Sequence, residues 1–447
     1  MNHQNEPLEW TRADFPALEN RLNGRPPAYF DNACNTLVPQ SVIDAITEYY
    51  AKYPACGSGR SRHRLAWEVT DRIDGNPEKG MKGSREVIRD FLNAASEKEL
   101  IFTLNTSHGI NIVALGLQFK PGDVVLLTDH EHNSNLIPWL RLQKKGVISV
   151  DHVDSGKDGS FSLAGLEDKL KSGRVRLVSM AYTSNLTGAT IPAKDVISLA
   201  HRYGARVLLD GAQTVPHQAV DVRDLDVDFL AFSIHKMCGP RGVGVLYAKR
   251  AYLGSKMREE DEDENVILPA YLGGETIADT TYDEYTLLQA PARFEVGLQD
   301  YPGQIAAGVA IDYLQKVGME NIRAQEERLN GYLSAKLMER YGSGGWLRIF
   351  GPADAAQRGG ILTFEVHRPN SVGISEELSD CNIMVRDGFF CVHSYLNHVY
   401  GQGWSRPRHP SEHRMNYRVS LYFYNTLEEC DYFLEVLHRI FTERCYV

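Results

Sequence analysis

Two residues near the middle of this 447-residue chain have the types and spacing for covalent carbonyl chemistry. Asp210 ends the apolar run Val207-Leu208-Leu209 and is followed by Gly211-Ala212-Gln213. Lys236 ends Ser233-Ile234-His235-Lys236, ahead of Gly239-Pro240-Arg241-Gly242. A lysine amine condenses with an aldehyde and so can hold a group covalently. A buried carboxylate can keep a pyridine nitrogen protonated, which makes the ring an electron sink. Pyridoxal 5′-phosphate (PLP) needs both parts. Either residue alone reads better as a cap or a solvated loop residue. The pair, at the ends of two neighbouring strand patterns, favours the cofactor.

A phosphate cradle is also legible. Asn105-Thr106-Ser107-His108-Gly109 precedes Ile110, Val113, Ala114 and Leu117, an apolar face at helical spacing. Thr106 or Ser107 is expected to cap that helix, whose N-terminal N–H groups and dipole suit an anion. A hydroxyl cap with no ligand remains the alternative.

The elements that must position these groups follow an α/β pattern. Strand-like runs at 100–104, 124–128, 176–182, 206–210, 229–233 and 243–248 alternate with helical stretches such as 110–118 and 193–203. The runs are apolar throughout, as in a mostly parallel sheet covered by helices on both faces. Ligands bind at the carboxyl ends of such strands, where Thr106, Asp210 and Lys236 fall. Residues 259–264 read as a solvated acidic loop. Beyond them, 305–316 and 318–341 read as helices, 361–366 and 418–424 as strands, and 427–441 as a terminal helix, together a smaller α/β domain. The division expected is 31–301 for the large domain, with 1–30 and 302–447 forming the small one.

Composition excludes other classes. The formal charge of −10 and the lack of a basic stripe argue against a nucleic-acid partner. Seven cysteines with no Cys-x-x-Cys pair suggest a reducing compartment. With no apolar run of membrane-spanning length and a polar start, a cytoplasmic protein is expected.

These motifs resemble class V of the fold-type I PLP enzymes, and within it the group II cysteine desulfurases and selenocysteine lyases. The resemblance runs from Tyr29-Phe30-Asp31-Asn32-Ala33 to the terminal helix. It implies that His132, in Glu131-His132-Asn133-Ser134-Asn135, stacks on the PLP ring. It implies further that Asn185, in Thr183-Ser184-Asn185, lies near the cofactor hydroxyl and substrate carboxylate, and that Gln213 hydrogen-bonds the phenolate oxygen. Ser233 and His235 match phosphate-contacting positions beside Thr106 and Ser107. Without the resemblance, His132 reads as a structural histidine, Asn185 as a turn residue and Gln213 as a helix-start residue.

Cys391, ending Arg386-Asp387-Gly388-Phe389-Phe390-Cys391, resembles the short loop carrying the persulfide-forming cysteine of that group. A loop thiol near a basic residue is a plausible reactive thiolate, although a lone cysteine is usually a small buried hydrophobe. Arg418 resembles the arginine that clamps the substrate α-carboxylate, a role suited to a planar guanidinium; a strand arginine in an ion pair is the bland alternative. The implied activity is conversion of L-cysteine to L-alanine, with a persulfide on Cys391 passed to an acceptor protein. The alternatives are a C–S lyase, selenocysteine lyase or epimerase in which Cys391 is incidental, or a non-catalytic sulfur-relay scaffold.

The chain departs from the pattern in three places. Phe389 and Phe390 stand where the family commonly has two histidines. Leu298, in 293–298, replaces a threonine that reaches a neighbouring subunit's PLP phosphate; a homodimer with 293–300 near the partner's site is still implied. The segment 393–417 is enlarged, and its His393, His398, His409 and His413 match no zinc spacing, so no metal is expected. The basic run 56–64 resembles a loop that lines the pocket in relatives.

Overall fold

The computed structural model describes residues 8–57, 59–156, 159–400 and 414–447. The large sheet has seven strands: β1 Leu100–Thr103, β2 Val124–Thr128, β3 Ser149–Val153, β4 Val175–Ala181, β5 Arg206–Asp210, β6 Phe229–Ser233 and β7 Gly244–Ala248. Their order is β1-β7-β6-β5-β4-β2-β3, and β7 alone runs antiparallel to its neighbours. Strands β2, β5 and β6 are buried at every residue. Helices cover both faces, which is why their sequences do not alternate. Leu126, Leu208, Leu209 and Leu230 are fully buried, each burial favouring the fold by about 1.5–3 kcal/mol over exposure.

The strand expected at 418–424 lies instead at 414–420, and the sequence reading missed β3. The smaller sheet is antiparallel, ordered β8 Leu347–Ile349, β9 Ile361–His367, β11 Arg414–Ser420 and β10 Arg386–Asp387. Chain near the N-terminus joins this region, because Ala28–Tyr29 pairs in parallel with Ile383–Met384. A separate apolar cluster, including Phe364, Val419, Leu333 and Phe433, packs β9 and β11 against helices Met319–Tyr341 and Leu427–Glu443.

The acidic run at 259–264 is not simply a solvated loop. Glu262 turns inward and pairs at 2.7 Å with Arg293, both side chains being 3% exposed or less. That pair joins the run to the turn at 292–294.

Candidate active site

The site residues follow the carboxyl ends of five parallel strands. Thr106 comes after β1, His132 after β2, Asn185 after β4, Asp210 closes β5, and Ser233 closes β6 just before Lys236. They converge on one cavity of about 300 Å³ that also reaches Cys391 and Arg418 of the smaller sheet region.

The expected helix after β1 is α1, Thr106–Gly116, but its cap is Asn105, whose Oδ1 accepts from His108 N at 3.0 Å. This correction frees the Thr106 and Ser107 hydroxyls from capping. Thr106 N donates to Ser233 Oγ at 2.8 Å, and the Thr106 and Ser233 hydroxyls share a 2.6 Å bond. Ser107 Oγ bonds Ser134 Oγ, also at 2.6 Å, on the first turn of α2, Asn133–Lys144. Two helix N-termini and a hydroxyl cluster therefore face one wall of the cavity, an arrangement suited to a phosphate. Gly244 permits it: a Cβ there would lie 2.6 Å from the Asn105 Cα.

His132 caps α2. Its Nδ1 accepts from Ser134 N at 3.1 Å. Burial, reinforced by Lys236 and Arg418, pushes its pKa down to about 3, so the ring is neutral at ordinary pH. Glu131 braces the turn from behind, accepting from Thr128 Oγ1 at 2.5 Å, Asn135 Nδ2 at 2.8 Å and Ala181 N at 2.9 Å. His235 lines the cavity half-buried, and burial lowers its pKa to about 4.

Asp210 is 5% exposed and accepts from Ala212 N at 3.0 Å. Burial raises its pKa, against the Ala212 hydrogen bond and the nearby Lys236 charge. Lys236 is shifted the other way, lowered by desolvation although Asp210 opposes the shift. Gln213 donates Nε2 to Ala33 O at 2.8 Å, which leaves its buried Oε1 without a partner. Presenting a donor to a phenolate would require the amide to turn its nitrogen toward the cavity.

This set fits PLP. The buried Asp210 carboxylate accepts from Ala212 N and, among the described residues, has no ion-pair partner, a place a pyridinium N–H would fill. The amine is shifted toward its neutral, nucleophilic form, and the hydroxyl cluster sits at helix N-termini.

The loop bearing Cys391 is held from both sides. Asn133 N donates to Cys391 O at 2.8 Å, and Asn185 Nδ2 donates to Phe390 O at 2.8 Å. Phe390 and Cys391 are consecutive left-handed residues, with φ of 49° and 60°. For non-glycine residues this costs about 1–2 kcal/mol apiece. Cys391 is exposed whereas Phe389 and Phe390 are buried. Phe389 stacks on His393 at 5.2 Å, and the Arg418 guanidinium lies 4.9 Å from the Phe390 ring centroid.

Arg418 is buried, donates to Asn185 O at 3.1 Å, faces Asp31 at 3.4 Å, and leaves Nε without a partner. Arg386, paired with Arg418 in the β10–β11 register, approaches Asp31 at 3.6 Å from the other side. Burial raises the Asp31 pKa, opposed by Arg418 and Arg386. Sequence reasoning assigned no role to Asp31 or Cys34, and read Arg386 only as the basic residue of the Cys391 loop, although all three bear on this site. No periodic signal marks them; only the meeting of the two sheets brings them together.

Other expectations fall elsewhere. In the basic run 56–64, Gly57, Gly59 and Arg60 line a different cavity of about 580 Å³, and Arg60 pairs with Glu275. His393 and His398 lie on the helix His393–Tyr400, while His409 and His413 lie outside the described residues. Among the described residues, no helix is long and apolar enough to cross a membrane.

A mostly parallel, helix-covered sheet with a lysine and a carboxylate at adjoining strand ends defines a PLP enzyme of fold-type I. The chain belongs to the family described as Aminotransferase class-V, whose sequence profile matches residues 28–433. A cysteine desulfurase of Synechococcus elongatus is 38% identical over 97% of this chain, which spans 64% of that protein's length. A probable cysteine desulfurase of Halalkalibacterium halodurans is 34% identical, with 93% of this chain and 94% of the relative covered. The apo structure of a cysteine desulfurase from Thermococcus onnurineus superposes with a TM-score of 0.83 at 32% identity, covering 97% of this chain and 98% of that one.

Proposed function

We propose that this chain is a PLP-dependent cysteine desulfurase, which moves the sulfur of L-cysteine onto Cys391 and releases L-alanine. The observation that carries the reading is the shared cavity. A Lys–Asp pair, a buried arginine with an unpartnered Nε and an exposed cysteine all face it. The relatives named cysteine desulfurase support the same activity.

Bound PLP supplies an electron sink that lets the Cα–H bond of an attached amino acid break. Lys236 would hold the cofactor covalently, and its amine, with pKa lowered by desolvation, would be the group that moves the Cα proton. Asp210 holds the ring nitrogen protonated. Neutral His132 offers an uncharged face for stacking on the ring. Thr106, Ser107, Ser233 and His235 surround the phosphate, and Asn185 and Gln213 address the cofactor's oxygen side. Arg418 exchanges its contact with Asp31 for the substrate carboxylate. The Cys391 thiolate attacks the substrate sulfur. The carbon–sulfur bond breaks with its electron pair moving to carbon, that carbon takes up one proton in place of the one lost from the Cys391 thiol, and the sulfur stays on Cys391 as a persulfide.

An acceptor protein then collects that sulfur, and the chain works in the cytoplasm as a homodimer with 293–300 near the partner's cavity. Residues 31–301 form the PLP-binding domain; 1–30 and 302–447 form the smaller one. The test is incubation of PLP-loaded protein with L-cysteine, followed by assay of alanine, sulfide and pyruvate. Alanine is expected. Pyruvate without alanine would mean β-elimination, with Cys391 incidental.

A further inference from the structure

Two of the seven cysteines line the cavity. Besides Cys391 there is Cys34, half-buried, in the turn that follows Asp31. The buried thiols of Cys238 and Cys430 lie elsewhere, their pKa values raised by burial. The turn bearing Cys34 is firmly tied down. Ala33 N donates to Ser420 Oγ at 2.9 Å, Asn32 Nδ2 to Ser420 O at 2.7 Å, and Ala33 O accepts from Gln213 at 2.8 Å. Arg386 sits beside the Cys34 thiol, and Arg418 and Lys236 are close enough for each to feel its charge. Two guanidinium groups, those of Arg386 and Arg418, therefore attend this thiol, with Asp31 as the opposing carboxylate. Cys391 belongs instead to a loop in the left-handed backbone region, open to solvent.

We propose that Cys34 is a second sulfur-accepting thiol of the site, taking the outer sulfur of the Cys391 persulfide by thiol–persulfide exchange. The proposal rests on the reading of Cys391 as persulfide carrier. The Cys34 thiolate attacks the outer sulfur, forming one S–S bond. The S–S bond to Cys391 breaks, and Cys391 leaves as a thiolate with the electron pair. One such bond is made and one lost, so no oxidant or reductant is consumed. The Arg386 guanidinium is placed beside the attacking sulfur. Cys391 is thereby freed for a second turnover, and the chain stores two transferable sulfurs when no acceptor is present.

The experiment treats PLP-loaded protein with excess L-cysteine and no acceptor, quenches with an alkylating agent, and maps both cysteine peptides by mass spectrometry. An added sulfur is expected on both peptides, with an alanine burst of about two per chain. In Cys34→Ala and Cys34→Ser the burst falls to about one, with sulfur on Cys391 only; the cofactor absorbance of both variants reports that they have folded. In Cys391→Ala neither peptide gains sulfur. Wild-type protein carrying sulfur on Cys391 alone would overturn the exchange and leave the desulfurase reading intact. So would sulfur on Cys34 in Cys391→Ala, which requires direct transfer from substrate, or a Cys34–Cys391 disulfide in place of two persulfides. No added sulfur and no alanine in the wild type would overturn both.

Discussion

At Lys236 and Asp210, environment assigns the roles. The same loss of water pushes the amine toward neutrality, which suits it to covalent attachment, and leaves the Asp210 carboxylate in need of a cationic partner such as a protonated ring nitrogen. Lys236→Ala is expected to bind PLP without covalent attachment. Borohydride reduction and peptide mapping of the wild type should find the label on Lys236, and a label on another lysine would refute the assignment. His132 gives a prediction in pH. Its pKa is about 3 in the folded chain against 6.5 as its ordinary value. Between those values the unfolded chain takes up a proton that the folded chain does not, so the His132 contribution to stability is present above pH 6.5 and is lost as pH falls toward 3. Chemical denaturation of wild type and His132→Asn at pH 7 and pH 5 should show the wild type losing more stability on acidification. Lys236 and Asp210 were legible in the sequence because their types and strand-end positions declare a chemistry. His132, Asn185 and Gln213 were legible only through family resemblance. Asp31 and Cys34 acquire meaning only when Arg386 and Arg418, more than 350 residues downstream, fold back onto them.

Elements were read well where burial is uniform. Strands β2, β5 and β6 match the apolar runs residue for residue, since a strand covered on both faces leaves a continuous apolar stretch. The edge strand β3 escaped notice because it is mostly half-exposed and carries Asp151 and His152. The strand placed at 418–424 was drawn too far by the aromatic residues Tyr422, Phe423 and Tyr424. These form a turn in which Asn425 Oδ1 accepts from Tyr422 N at 2.8 Å, and their rings pack inward. The acidic run was misread because charge alone does not reveal a buried partner. Arg293→Ala strands the buried Glu262 carboxylate, and the expected cost is about 3–5 kcal/mol, read by urea denaturation. A change below about 0.5 kcal/mol, typical of surface substitutions, would contradict this account of the pair.

For the whole molecule, the surface around 293–300 remains to be accounted for. Leu298, Leu104 and Tyr271 are each more than half exposed and line a common cavity of about 340 Å³ beside Gln299. The proposed homodimer covers this surface, so sedimentation should give a dimer. A charged substitution, Leu298→Glu, should weaken it, whereas a wild-type protein that stays monomeric at micromolar concentration would contradict it. The central claim concerns turnover, and Cys391→Ala tests it most directly through alanine formed from L-cysteine. The variant should still bind PLP and shift its absorbance on adding L-cysteine, while alanine production falls by several orders of magnitude, as expected on losing a nucleophile. Alanine formed at the wild-type rate by Cys391→Ala would contradict the account.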